Sequence, residues 1–271
     1  CFRQPRNRSL AVLERQVQAA KKYQKRIGLM GAAISDYPEI DALCRDILKE
    51  NLGMSVASFR ADSVTAELVA SLARSGLRTI TLAPEAGSVR MRKVINKGIE
   101  EEHLLRTVDL ALQAGIHQFR LYLMIGLPYE EEEDIEEIVA MTLRLQEHIR
   151  QKKERAQITL SINPFIPKPF TPFQWLPMAS EKRVKEALKT VRKGLAAHKN
   201  IRIIAESPKS AYVQGVLARG DRRTAHALYR AFLSGGAKAF KRAMKEYGLS
   251  FEDFLCAEHT EAALFPWDTL D

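Results

Sequence analysis

The chain has 271 residues, 46% of them hydrophobic and 28% charged, and carries a formal net charge of +9. These are ordinary globular values, enough for one large α/β domain or for one domain with a small appendage. No apolar run approaches the roughly 20 residues that span a bilayer and no secretory h-region opens the chain, so a cytoplasmic protein with no membrane partner is expected. The positive surplus points toward a polyanion such as RNA, although the bases are scattered over helices as much as clustered. The three cysteines, Cys1, Cys44 and Cys256, lie far apart and form no CxxC pair. An odd count argues against a disulfide framework, and Cys44 and Cys256, set among apolar helical residues, are expected in the core. The six histidines show no paired metal-ligand spacing. Neither GxGxxG nor GxxxxGK[ST] occurs, which counts against nucleotide-dependent dehydrogenases and phosphotransferases.

In chain order, Asn7 or Ser9 is placed to cap a first helix with Leu10, Leu13, Val17 and Ala20 at helical spacing. Ile27 to Ala33 is a strand-length apolar run ending in small residues, which let a ligand approach the backbone. A turn at Ser35-Asp36-Tyr37-Pro38 leads into a helix bearing Ile40, Leu43, Cys44, Ile47 and Leu48. Ser55 to Arg60 reads as a second strand, and Ser63 as the cap of a helix that stops at Gly76.

The stretch LRTITLAPEAGSVRMRKVINKG, Leu77 to Gly98, supplies a third strand over Thr79 to Ala83 and a sharp turn at Pro84-Glu85-Ala86-Gly87. A short helix capped by Ser88 and running through Val94 follows. Glu85 then stands at the carboxyl end of a strand, where ligands bind in parallel α/β folds. A carboxylate there suits a ribose hydroxyl pair or a ligand ammonium; the plainer reading is a solvated turn glutamate. A helix from Glu100 through Ala114 precedes a fourth strand, Phe119 to Ile125, apolar enough to be covered on both faces. The acidic run Glu130 to Asp134 opens a long helix, a placement the macrodipole favours. Ile158 to Ile162 is a fifth strand, followed by a proline-rich segment through Trp175. The alternation of strand and helix at roughly 25 to 45 residues per unit is the pattern of a parallel sheet with crossover helices. From Ser180 the chain reads as helical, with one short strand at Ile201 to Ala205.

LAPEAGSVRMRKVINKGI at Leu82 to Ile99, FRLYLMIGLPYEEEEDI at Phe119 to Ile135 and INPFIPKPFTPFQW at Ile162 to Trp175 are three successive strand-end motifs. In these, with SDYPEI and SFRADS before them, the chain resembles the radical SAM superfamily. The resemblance is to a branch of largely uncharacterised members that often carry a cobalamin-binding-like domain upstream and are akin to methylthiotransferases. It implies an α/β fold, a partial parallel (β/α)6 TIM-like barrel over residues 1–178, here lacking its first strand and cluster loop. Residues 179–271 would form a mostly helical carboxyl-terminal extension. Implied cofactors are S-adenosylmethionine and a four-iron four-sulfur cluster, with cobalamin admitted by the branch. In the superfamily the reduced cluster gives an electron to the sulfonium, and a 5′-deoxyadenosyl radical then abstracts hydrogen from a substrate.

The superfamily's CxxxCxxC loop is missing from this chain. Cys1 is either its last cysteine or a residue shortly beyond it, so the chain as it stands cannot supply three thiolates. The resemblance places Gly31, Ala32, Ala33, Ser35 and Asp36 at the methionine amino group. Arg60 falls at the methionine carboxylate with Arg90 as a second candidate, and Glu85 at the ribose or the amino group. Met124, Ile125 and Gly126 fall at the adenine, and Phe165 lines the last strand end. The expected activity is that of a radical SAM oxidoreductase or transferase in full-length form, the chain alone being inactive. The alternative is a cluster-less barrel serving as a binding or scaffold module for RNA, and a more distant one a phosphate-binding barrel enzyme.

Overall fold

A computed structural model describes residues 6–23, 25–31, 34–56, 59–260 and 262–269. The elements run α1 (Leu10–Lys21), β1 (Arg26–Leu29), α2 (Ile40–Lys49), β2 (Gly53–Val56), α3 (Ala66–Arg74), β3 (Thr79–Glu85), α4 (Val89–Val94) and α5 (Glu101–Gln113). They continue with β4 (Gln118–Ile125), α6 (Glu132–Gln151), β5 (Gln157–Pro164), α7 (Glu181–Leu195) and β6 (Ile201–Ala205), then α8 (Pro208–Arg219), α9 (Arg223–Leu233), α10 (Ala237–Glu246) and α11 (Phe251–Leu255). Strands β1 and β2 pair in parallel. The order β3-β4-β5-β6 forms a second sheet, and a bridge from Phe59 to Leu82 lies between the two sheets. Backbone bonds from Gln157 to His117 and from Phe165 to Ile125 keep one offset, and those from Ile158 to Asn200 and from Glu206 to Ile162, donated in opposite directions across one register, follow the slanted parallel pattern, so these neighbours are parallel too. The architecture is a mixed α/β fold consistent with a partial TIM-like barrel that does not close.

Strand β6 is the sheet's last strand rather than an isolated piece of the extension, because its residues continue the ladder on β5. Strand β4 is not covered equally on both faces. Phe119, Leu121, Leu123 and Ile125 are buried, whereas Arg120, Tyr122 and Met124 on the opposite face are not fully covered. Period-2 alternation under a near-continuous apolar run explains the difference: one face carries the core and the other is only partly covered. Ser9 holds the cap position of α1 but makes no side-chain bond there. Thr65, not Ser63, caps α3, accepting from the Leu68 amide at 3.1 Å.

The chain falls into two compact units, each built from several stretches. The first contains Cys1–Leu123, Glu136–Ser161 and Gly194–Ile204. Its core is built by the amphipathic faces of α2 and α3, with Ile40, Leu43, Cys44, Ile47, Leu68, Val69 and Leu72 all buried. The second contains Met124–Ile135, Ile162–Lys193 and Ala205–Asp271. There Val216, Ala227, Phe240, Met244, Phe251 and Leu255 form one cluster. Cys44 is buried as expected, but Cys256 is exposed, because it follows Leu255 as the cap of α11 and the stripe ends one residue earlier.

Candidate functional site

The end of β3 in the first unit is the most constrained strand end. The strand continues two residues past the expected Ala83, through a register shift between Leu82 and Glu85. Glu85 itself has φ 68°, in the left-handed region, at a cost of about 1 to 3 kcal/mol for a residue with a side chain. Its carboxylate receives Lys97 Nζ at 3.1 Å, both side chains about a quarter exposed. Behind the turn, Arg92 is buried and its Nη1 donates to the carbonyls of Ala86 at 3.1 Å and Gly87 at 2.7 Å. Its Nε and Nη2 are buried without a partner among the described residues, and burial lowers the guanidinium's pKa. Gly87 is packed so closely on the start of α6 that a Cβ would stand 2.3 Å from the Ile138 nitrogen. Ser88 caps α4, accepting from the Met91 amide at 3.0 Å, and Arg90 is exposed on its first turn. The backbone that presents Glu85 is thus fixed from three sides.

At the ends of β1 and β2, also in the first unit, a polar cluster gathers. Ser35, buried in the single turn after Gly31, accepts from the Arg60 amide at 3.2 Å and from the Ser63 hydroxyl at 2.8 Å. Ser63 also bonds Asp36. The Arg60 guanidinium forms a fork on Asp62, with contacts of 3.2 and 2.7 Å, and lies 3.6 Å from Asp36. Partial burial pushes the Asp62 carboxyl up, but the Arg60 fork outweighs it and holds the group below its ordinary value. A ligand carboxylate reaching Arg60 would compete with Asp62 for one planar fork. Ala32 and Ala33 lie outside the described residues.

In the second unit, Ile125 and Gly126 are buried and Met124 half-buried, and Gly126 turns the chain with φ 74°. The Gly126 amide donates at 2.6 Å to the carboxylate of Glu130, which is itself buried, and Arg183 donates to the Glu130 carbonyl. Burial pushes the Glu130 carboxyl up to about 7, against the Gly126 amide and the Arg183 charge, which favour the ionised form. The Phe165 amide donates to the Ile125 carbonyl at 2.8 Å, and its ring meets Phe173 edge-on at 5.7 Å. Glu130 binds its proton more tightly folded than unfolded. Its contribution to stability is therefore full below about pH 4.5 and lost as the pH rises through about 7. Glu130→Gln keeps an acceptor for Gly126, so relative to wild type it should gain on the order of 3 kcal/mol between pH 4.5 and 8. Urea titrations across that range test this, and a constant difference would refute it.

Glu85 and Lys97 are brought together, as are Ser35, Asp36 and Arg60; Met124 to Gly126 and Phe165 belong to the other unit. Lys97, Arg92, Asp62, Ser63 and Glu130 are not among the residues that the sequence reading places at the site, although all five stand in the quoted motifs. Cys1 is outside the described residues. Among those described, no three His, Cys, Asp or Glu side chains gather as metal ligands would. Burial, with Asp41 and Glu67 adding to it, pushes the Cys44 thiol up to about 12, the opposite of a thiolate ligand. The described residues therefore do not furnish the donors of an iron-sulfur cluster. No helix is long and apolar enough to cross a membrane, among the described residues.

Comparison with known proteins agrees with this fold. An uncharacterised protein of Methanocaldococcus jannaschii is 35% identical over 221 residues, 80% of this chain and 47% of that protein. The chain thus spans about half the length of that relative. The fold is similar to that of Streptococcus suis SuiB bound to S-adenosylmethionine, with a TM-score of 0.50 and 15% identity over 79% of this chain and 48% of SuiB. It is similar also to Escherichia coli coproporphyrinogen III oxidase, described as a radical SAM enzyme, at a TM-score of 0.50 and 12% identity over 69% of this chain and 45% of that one. Residues 2–142, just over half of the chain, match the family model of the radical SAM superfamily. The parallel strands, their order and this match establish that the chain belongs to the radical SAM superfamily.

Proposed function

We propose that the chain binds S-adenosylmethionine at its strand ends, as the core of an enzyme that modifies a substrate by radical chemistry. The observation that carries this reading is Glu85, held in a strained left-handed conformation at the end of β3 and paired with Lys97. A protein spends strain where a side chain must be aimed, and this carboxylate accepts as a ribose hydroxyl pair or an ammonium would require. Asp36 and the hydroxyl of Ser35 offer acceptors for the methionine ammonium, and Arg60 offers a fork for its carboxylate once Asp62 yields. Bound S-adenosylmethionine supplies the sulfonium whose reductive cleavage is the superfamily's chemistry. The residues of this chain bind and orient it.

Calorimetric titration of the chain with S-adenosylmethionine and with 5′-methylthioadenosine, which keeps the ribose but lacks the amino acid, tests this reading. Glu85→Gln removes the charge-assisted bond and should weaken binding about 10-fold or more. A loss with both ligands assigns Glu85 to the ribose, and a loss with S-adenosylmethionine alone assigns it to the amino group. Unchanged affinity for both refutes the site.

A further inference from the structure

The helical hairpin α9–α10 in the second unit carries a local surplus of positive charge. Residues 222–246 hold seven bases, Arg222, Arg223, Arg230, Lys238, Lys241, Arg242 and Lys245, against the single acid Glu246, a surplus of six within a chain whose total is +9. Helix α10 buries Ala239, Phe240, Ala243 and Met244 and exposes Lys238, Lys241, Arg242 and Lys245. Those four positions are i, i+3, i+4 and i+7, so they form one continuous ridge about 10 Å long. Lys238 and Lys245 have no carboxylate within ion-pair distance among the described residues. Lys241 and Arg242 have only long partners, Glu252 at 3.6 Å and Glu246 at 3.9 Å, with side chains at least 60% exposed. The ridge is therefore not neutralised from within.

Helix α9 adds a second exposed surface. Only Thr224, Ala227 and Ala231 are buried on it, while Tyr229 is 67% and Phe232 74% exposed, with Leu228 and Leu233 beside them. These four fall at i, i+1, i+4 and i+5, with Leu228 bordering the buried stripe and the others turned away from it. Stability does not ask for solvent-exposed aromatic rings, and on the same hairpin as a basic ridge they offer flat faces on which unpaired bases stack. We infer that the α9–α10 hairpin binds single-stranded RNA, with the α10 ridge on the phosphates and Tyr229 and Phe232 against the bases. This does not depend on the S-adenosylmethionine reading, since none of its residues belongs to that site.

Fluorescence anisotropy with a labelled 20-nucleotide oligouridylate, across 50 to 200 mM salt, tests the inference on the intact chain. Neutralising about four phosphates predicts a log–log salt slope near −3, roughly a 50-fold loss of affinity over that range. Replacing Lys238, Lys241, Arg242 and Lys245 together by Gln should flatten the slope to near zero. Replacing the three lysines by Arg should preserve it, which separates charge from any effect on folding. Phe232→Ala should weaken binding about 5-fold or more without changing the slope. No RNA binding, binding indifferent to the Gln variant, or a Gln-sensitive affinity for anionic phosphatidylglycerol vesicles in place of RNA would each overturn it.

Discussion

Gly87→Ala is expected to destabilise the first unit by about 3 kcal/mol, the upper range for forcing atoms into a filled space. The new Cβ would lie 2.3 Å from the Ile138 nitrogen and 2.6 Å from the Glu137 carbonyl carbon, and both are backbone atoms of α6 that no rotamer change can clear. Either the helix start or the turn must move. Because Glu85 sits two residues away in an already strained conformation, the same substitution should weaken S-adenosylmethionine binding as well. Urea denaturation and calorimetry measure the two effects. Gly28→Ala is the control: the nearest atom to its added Cβ is Ser55 Oγ at 3.9 Å, an ordinary contact, and little change is expected.

Arg92 should separate stability from binding. Arg92→Ala leaves a cavity beside Met141 and removes the donor to the carbonyls of Ala86 and Gly87, for an expected loss of about 3 kcal/mol. Arg92→Leu refills the volume and relieves a desolvated guanidinium with two unsatisfied donors, so its stability should fall within about 1 kcal/mol of wild type. Both variants release the turn that presents Glu85. The expected result is a leucine variant that is nearly as stable as wild type yet binds S-adenosylmethionine several-fold more weakly. A leucine variant with wild-type affinity would show that Arg92 only fills the core.

Much of this arrangement is legible in the residues. Apolar runs locate β3 to β6, while β2 begins two residues before the expected Ser55; Glu85 is marked by its place at a strand end, and Ser35, Asp36, Arg60 and Gly126 by the resemblance of the motifs. Partnership is what local pattern does not carry. Lys97 meets Glu85 across 12 residues because the α4 turn folds back, and Ser63 leaves a helix cap to Thr65 because Ser35 and Asp36 claim its hydroxyl. Glu130 heads an acidic run whose later members serve the helix start, yet it alone turns inward to the Gly126 amide. Arg92 reads as one more solvated base in a basic segment, and only the packing of α4 against α6 reveals it as buried. The role of β6 follows from its ladder on β5, a long-range fact that a five-residue run inside a helical region does not announce.

The most direct test of the central claim is an amide-resolved NMR titration of the isotopically labelled chain with S-adenosylmethionine. The account predicts saturable shifts at Ser35, Arg60, Glu85 and Gly87, largely lost for Glu85 and Gly87 in Glu85→Gln. Shifts confined to helix surfaces far from the strand ends, or no saturable shifts at all, would contradict it.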